Sequence, residues 1–174
     1  MAATFAWAAD NGAAGGSPAH GTRTNPITDT NWKNIDDSTT AYSAASCAGG
    51  SNSFEKWIYG VFTGTFNSVF NGLWAHTAGT LGTGITLAGI VTSSYTTPST
   101  TTNANLTVNM TAPIAIASGQ AVLFSTTSPQ AGSPAASITS AGFTQYLVSQ
   151  KQSTTSVASN DDATVTMTLQ YAEN

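Results

Sequence analysis

Residues 163–171 read ATVTMTLQY: Ala163, Val165, Met167, Leu169 and Tyr171 alternate without a break with Thr164, Thr166, Thr168 and Gln170. Successive side chains of a strand point to opposite faces. An unbroken period of two therefore predicts a β-strand with one face on a core and the other polar. That polar face carries hydroxyls and an amide but no charge. The rest of the chain repeats both features. Its 174 residues include 30 Thr and 20 Ser, and Thr, being β-branched, favours strands. Strong helix formers other than Ala are scarce. Strand signals recur at 54–65 (FEKWIYGVFTGT), 66–76 (FNSVFNGLWAH), 85–95 and 143–152. Shorter ones lie at 31–36, 106–110, 114–117 and 121–125. Gly60 predicts a bulge or a close backbone approach. Residues 37–50, 96–103 and 128–134 read as loops, and 79–84 as a Gly-rich turn. Short strands at this spacing predict an all-β fold, an antiparallel β-sandwich or jelly-roll-like domain over residues 31–174.

The first thirty residues read differently. Residues 11–26 are rich in Gly, Ala, Pro and Thr and show neither period. The expectation is an extended N-terminal arm over residues 1–30, with Phe5 and Trp7 as apolar hooks for a neighbouring subunit. The alternative is a further strand of the main domain. Trp32, near the arm, and Tyr42 complete the expected set of interface anchors.

Charge defines what this domain can do. No Asp, Glu, Lys or Arg occurs in the 94 residues between Lys56 and Lys151, whereas about a quarter of an ordinary globular chain is charged. Each charge on a surface must stay hydrated or be paired when that surface is covered. A neutral Thr/Ser/Asn/Gly exterior can press against other protein with little desolvation cost, so the chain reads as part of an assembly. The basic residues Arg23, Lys33, Lys56 and Lys151 are too few for a phosphate-neutralising patch or for an anionic membrane surface. No apolar run approaches the length of a transmembrane helix, and the first residues lack the basic and apolar regions of a signal peptide. A lone cysteine, Cys47, excludes an internal disulfide.

Catalytic constellations are sparse. His20 falls in the expected arm and His76 beside Trp74. No G-x-S-x-G elbow accompanies them, so a Ser-His-Asp triad is not expected. No acid lies in the uncharged middle where a glycosidase pair would sit. Asp36–Asp37 and Asp161–Asp162 could serve calcium as oxygen-rich loops, but the preferred reading is turn chemistry, since Asp caps its own backbone. There is no phosphate loop and no zinc spacing, so neither cofactor nor metal nor catalytic residue is expected. Trp7, Trp32, Trp57 and Trp74 could stack on sugars. Trp57 and Trp74, in the most apolar strands, are expected in the core.

Several segments resemble small structural proteins of tailed bacteriophages. They are Asn52-Ser53-Phe54-Glu55-Lys56-Trp57, Gly64-Thr65-Phe66-Asn67 and Asn71-Gly72-Leu73-Trp74. The loop at 96–103, Gly142-Phe143-Thr144-Gln145-Tyr146-Leu147-Val148 and the closing residues 164–174 follow the same pattern. The resemblance spans residues 31–174 and leaves the arm outside. It implies a virion protein assembled in the host cytoplasm, without catalytic residues. The expected function is a capsid decoration or cement protein contacting the major capsid protein or other virion proteins. It would act as a homo-oligomer, taken as a trimer, with no nucleic-acid or membrane partner. The alternatives are a tail, neck, baseplate or fibre component and, from another class, a carbohydrate-binding module that needs exposed, coplanar aromatics.

Overall fold

The computed structural model describes residues 2–77, 83–110, 112–130, 133–154 and 165–174. The described residues are nearly all β. In chain order the strands are β1 (Thr4–Gly15), β2 (His20–Thr24), β3 (Lys56–Thr63), β4 (Val69–His76), β5 (Ile85–Thr92) and β6 (Val108–Asn109). They continue as β7 (Gln120–Val122), β8 (Phe124–Ser125), β9 (Ser137–Ile138), β10 (Gly142–Thr144), β11 (Tyr146–Ser153) and β12 (Met167–Glu173). All strand pairings among them are antiparallel. The larger sheet runs β2-β1-β3-β11-β5-β6, with β10 pairing both β3 and β8; the smaller runs β12-β4-β7, with β9 beside β4.

Strand β3 lies in the middle of the larger sheet and reads KWIYGVFT, buried from Lys56 to Phe62. A strand buried on both faces shows no alternation of polarity, and this one is apolar on both. Ile58 and Phe62 face the smaller sheet. Ile58 joins Leu87, Leu147, Trp74, Val108, Met110 and Val122 in one core cluster, and Phe62 joins Phe66, Val69, Phe124 and Ile138 in another. Trp57, Tyr59 and Val61 face the opposite way and pack with Tyr146, Val148, Tyr95 and Leu106. Each such side chain contributes about 1.5–3 kcal/mol by leaving water. Gly60 is the close approach expected of it: a Cβ there would stand 2.6 Å from Phe5 Cε2.

The closing strand keeps its alternation. Val165, Met167, Leu169 and Tyr171 are half-buried, while Thr166, Thr168 and Gln170 are exposed. Ala163 and Thr164, like Asp161–Asp162 and most of the 79–84 turn, lie outside the described residues. Strand β4 carries a bulge where its register to β12 shifts. Asn71 occupies it at φ 54°, in the left-handed region that Asn tolerates better than most residues.

Three expectations are corrected. Residues 1–30 are not an arm. β1 pairs with β3 from Thr4↔Thr63 to Asp10↔Trp57 and β2 folds back on β1, so the boundary at residue 30 is not a domain boundary. Ala8 and Ala9 are fully buried; small side chains suit a strand covered on both faces. Residues 31–36 form no strand and belong to an irregular segment joining β2 to β3. Of residues 114–117, Ile114 makes an isolated bridge to His76, and Ile116–Ser118 is a 3-10 turn, because Pro113 and Gly119 bracket a piece too short to pair.

Candidate functional site

The outer face of the larger sheet carries a buried carboxylate. Asp10 of β1 is fully buried. Its cross-strand neighbours are Arg23 on β2 and Trp57 on β3. Tyr59 donates to Asp10 Oδ1 at 3.2 Å and Tyr146 to Oδ2 at 2.5 Å, and Gln130 Nε2 donates to Oδ2 at 3.1 Å. Arg23 Nε stands 3.5 Å from Oδ1. A buried carboxylate needs this many donors to offset lost hydration. Burial raises the Tyr59 and Tyr146 hydroxyls well above the ordinary phenol range, and the neighbouring Asp10 charge adds to the effect. Both stay protonated and act as donors.

Arg23 reaches this network from outside. Its guanidinium lies over the rings of Tyr59 and Phe143, 5.5 and 5.4 Å from their centroids, and its side chain is 38% exposed. It opens on a groove of about 970 Å³ between the β1–β2 hairpin and residues 124–130 and 133–139, where eight of the fifteen lining residues are Ser or Thr. Ser125 Oγ holds one wall in shape by accepting from the Thr127 and Ser128 N–H groups. His20 stands in the same groove, with its Nδ1 2.8 Å from the Gly21 carbonyl.

A second set of charges fastens the irregular 25–55 segment to the sheet. Lys33 is fully buried. It donates to Asp37 Oδ1 at 2.5 Å and to the Thr40 carbonyl at 2.7 Å, with Asp29 3.7 Å away. Lys56, equally hidden, donates to the Asp37 carbonyl. Burial lowers the Lys56 pKa to about 8, with the Lys33 charge adding to the shift and Asp29, Asp37 and Asp36 opposing it. For Asp37, partial burial acts upward, but hydrogen bonds from Lys33, Thr40 and Thr39 outweigh it and hold the carboxyl far below its usual range. Asp36 accepts from Asn11 and the Gly12 N–H. These carboxylates therefore face nitrogen and hydroxyl donors, which is turn and loop chemistry.

The expected interface anchors do not form one patch. Phe5 packs edge-on against Trp7 at 5.1 Å and against Phe62 and Tyr171 at 5.4 and 5.9 Å, so both hooks pack against the chain's own core. Trp32 donates to Ser149 Oγ at 3.0 Å. Tyr42 is half-buried on a short 3-10 turn, Tyr42–Ala44. Trp57 and Trp74 are core residues, 3% and 1% exposed. His76 is buried beside Trp74, and its Nε2 has no partner among the described residues. The Cys47 thiol donates to the Trp32 carbonyl at 3.7 Å, and burial pushes it up, away from the reactive thiolate, against a smaller pull from Lys151.

Asp10, Arg23, Gln130 and Tyr146 were not singled out from the sequence as a group. The available signal was Asp10 itself, one acid following the alternation of Phe5, Trp7 and Ala9. Comparison with protein-family models, with curated proteins and with solved structures finds no match to this chain.

Proposed function

We propose that this chain is a non-enzymatic structural protein of a bacteriophage particle, a decoration or cement subunit that binds the major capsid protein and stabilises the shell. One observation carries the reading. Among the described residues, Arg23 is the only charged residue that is exposed; Asp10, Lys33, Glu55 and Lys56 are buried, and Asp29, Asp36, Asp37, Lys151 and Glu173 are half-buried. The few charges act as internal fasteners: Glu55 accepts from Trp57 and Asn103, and Glu173 accepts from the Ala3 N–H. The exterior left over is hydroxyl, amide and methyl, which another protein can cover without stranding a charge. The likeness of residues 31–174 to small phage structural proteins supplies the setting, and a jelly-roll-like sandwich is our reading of the two packed sheets.

The arm mechanism is replaced by a sheet mechanism. The smaller sheet presents Thr168, Gln170 and Ala121 outward, and β12 is an edge strand of that sheet among the described residues. A long edge without charge in its middle is open to pairing with another chain. Closed homo-oligomers repeat one such contact, and many weak copies on a lattice sum by multivalency. Sugar recognition by stacking would need an exposed aromatic face, and all sixteen aromatics are buried or half-buried. Among the described residues no helix is long and apolar enough to cross a membrane.

Quantitative mass spectrometry of purified particles tests the proposal. A copy number matching the shell lattice, found in the head fraction, is the expected result. A handful of copies in the tail fraction would favour the tail or baseplate reading, and absence from particles would end both.

A further inference from the structure

We infer that the groove beside Arg23 is a binding site for a small hydroxylated carboxylate, a sugar acid such as a uronate, with Arg23 holding the carboxylate and the Ser/Thr walls holding the ring hydroxyls. The argument begins with isolation: no other charged residue is exposed among the described residues, and this one lies in a concavity. Arg23 is also pre-positioned. Two rings support its plane, and a carboxylate that is fully buried and already held by Tyr59, Tyr146 and Gln130 stands behind its Nε. The Asp10 contact engages the Arg23 Nε at 3.5 Å, and 38% of the side chain remains exposed. Its planar fork, set over two rings and partly exposed, suits a planar carboxylate.

The walls specify the rest of the ligand. Ser133, Ser137, Thr126 and Thr139 line the groove with exposed hydroxyl-bearing residues. Hydroxyls donate and accept, as the hydroxyls of a sugar ring do. A peptide would want an apolar anchor pocket, yet Phe124 and Ile138, the large hydrophobics of the lining, are buried at 0% and 4% exposure. Recognition is polar and needs no stacking platform. The inference goes beyond the structural role, and the two fail separately: ligand binding is read on the isolated chain, the structural role on particles.

The test titrates sodium glucuronate, glucose, inorganic phosphate and a short Asp-containing peptide into the full-length chain, followed by two-dimensional NMR. Glucuronate is expected to shift groove resonances saturably; glucose, which lacks the carboxylate, should be weaker by about tenfold or more, the scale of one charge-assisted contact, and phosphate and the acidic peptide, which keep the charge but lack the ring hydroxyls, by about threefold or more. Arg23→Gln and Arg23→Lys should each weaken glucuronate by about tenfold, Lys because it keeps the charge and loses the fork. Thr139→Val, which leaves Arg23 and Asp10 untouched, should weaken it about threefold, a fraction of one hydrogen bond. Absence of saturable glucuronate binding, equal binding of phosphate or of the acidic peptide, or undiminished binding by folded Arg23→Lys would each overturn the assignment.

Discussion

The outer faces of the two sheets are built in opposite ways. On the larger sheet the outer face is roofed by loops and carries Asp10 beneath Gln130, with Trp57 and Tyr146 packed against Tyr95. On the smaller sheet the outer face is bare and neutral, with Thr166, Thr168 and Gln170 facing solvent. The roofed face needs ionic groups, because irregular loops have backbone groups that no ladder satisfies. Asp10 and Glu55 supply such bonds on this face, to Gln130 and Asn103 of the covering loops; Lys33, Lys56 and Asp37 do the same for the 25–55 segment, on the side of Ile58. Among the described residues the bare face carries no such group. A chain with twelve ionic side chains thus places most of those described where they hold loops and leaves the open sheet without them.

The strongest way to break this comparison is to remove the carboxylate from the roofed face. Asp10→Ala strands three neutral donors and Arg23, and should lower stability by about 3–5 kcal/mol in urea unfolding, the range for breaking a buried charged network. A loss near that of an ordinary surface substitution would show that the network is not a fastener.

The next effect is pH-dependent. The Lys56 pKa of about 8 in the folded chain lies below its ordinary 10.5. Between those values the unfolded chain holds more protons, so stability rises with pH by about 3 kcal/mol. Above about pH 10 the sign reverses. Tyr59, Tyr95 and Tyr146 are raised when folded, chiefly by burial, so the unfolded chain loses those protons first. Asp37 acts at the acid end: its lowered pKa contributes stability that disappears as pH falls below about 4. Denaturant midpoints across pH should therefore peak near pH 9–10, and Lys56→Met should flatten the rise between pH 8 and 10. A maximum near pH 6, unchanged in that variant, would contradict the assignment.

The smallest expected effect on stability sharpens the comparison from the other side. Thr168→Lys places a charge on the bare face, where it stays hydrated in the monomer, and should change stability by less than about 0.5 kcal/mol. Its effect on association should be large, because a charge in a covered sheet must lose its water.

The sequence made the two-faced strands legible and hid the one-layer irregularities. Strand β12 declared itself by alternation, and β3, β4, β5 and β11 by apolar runs bounded by turn residues. Strand β1 was obscured because Ala6, Ala8 and Ala9 are small. Propensity counts them against a strand, whereas burial on both faces selects them. The groove was illegible for a different reason. Its parts come from β2 and from residues 124–130 and 133–139, over a hundred positions apart, and only the β1–β2 hairpin brings Arg23 beneath Gln130. Nothing local in either segment announces the other.

Sedimentation velocity of the intact chain over a range of concentration, at low and at molar salt, tests most directly whether neutrality of the exterior serves subunit contact. The account predicts a defined oligomer whose population is insensitive to salt, since uncharged faces have nothing to screen, and which Thr168→Lys returns to monomer. A chain that stays monomeric at every concentration, or an oligomer that salt dissolves, would contradict it.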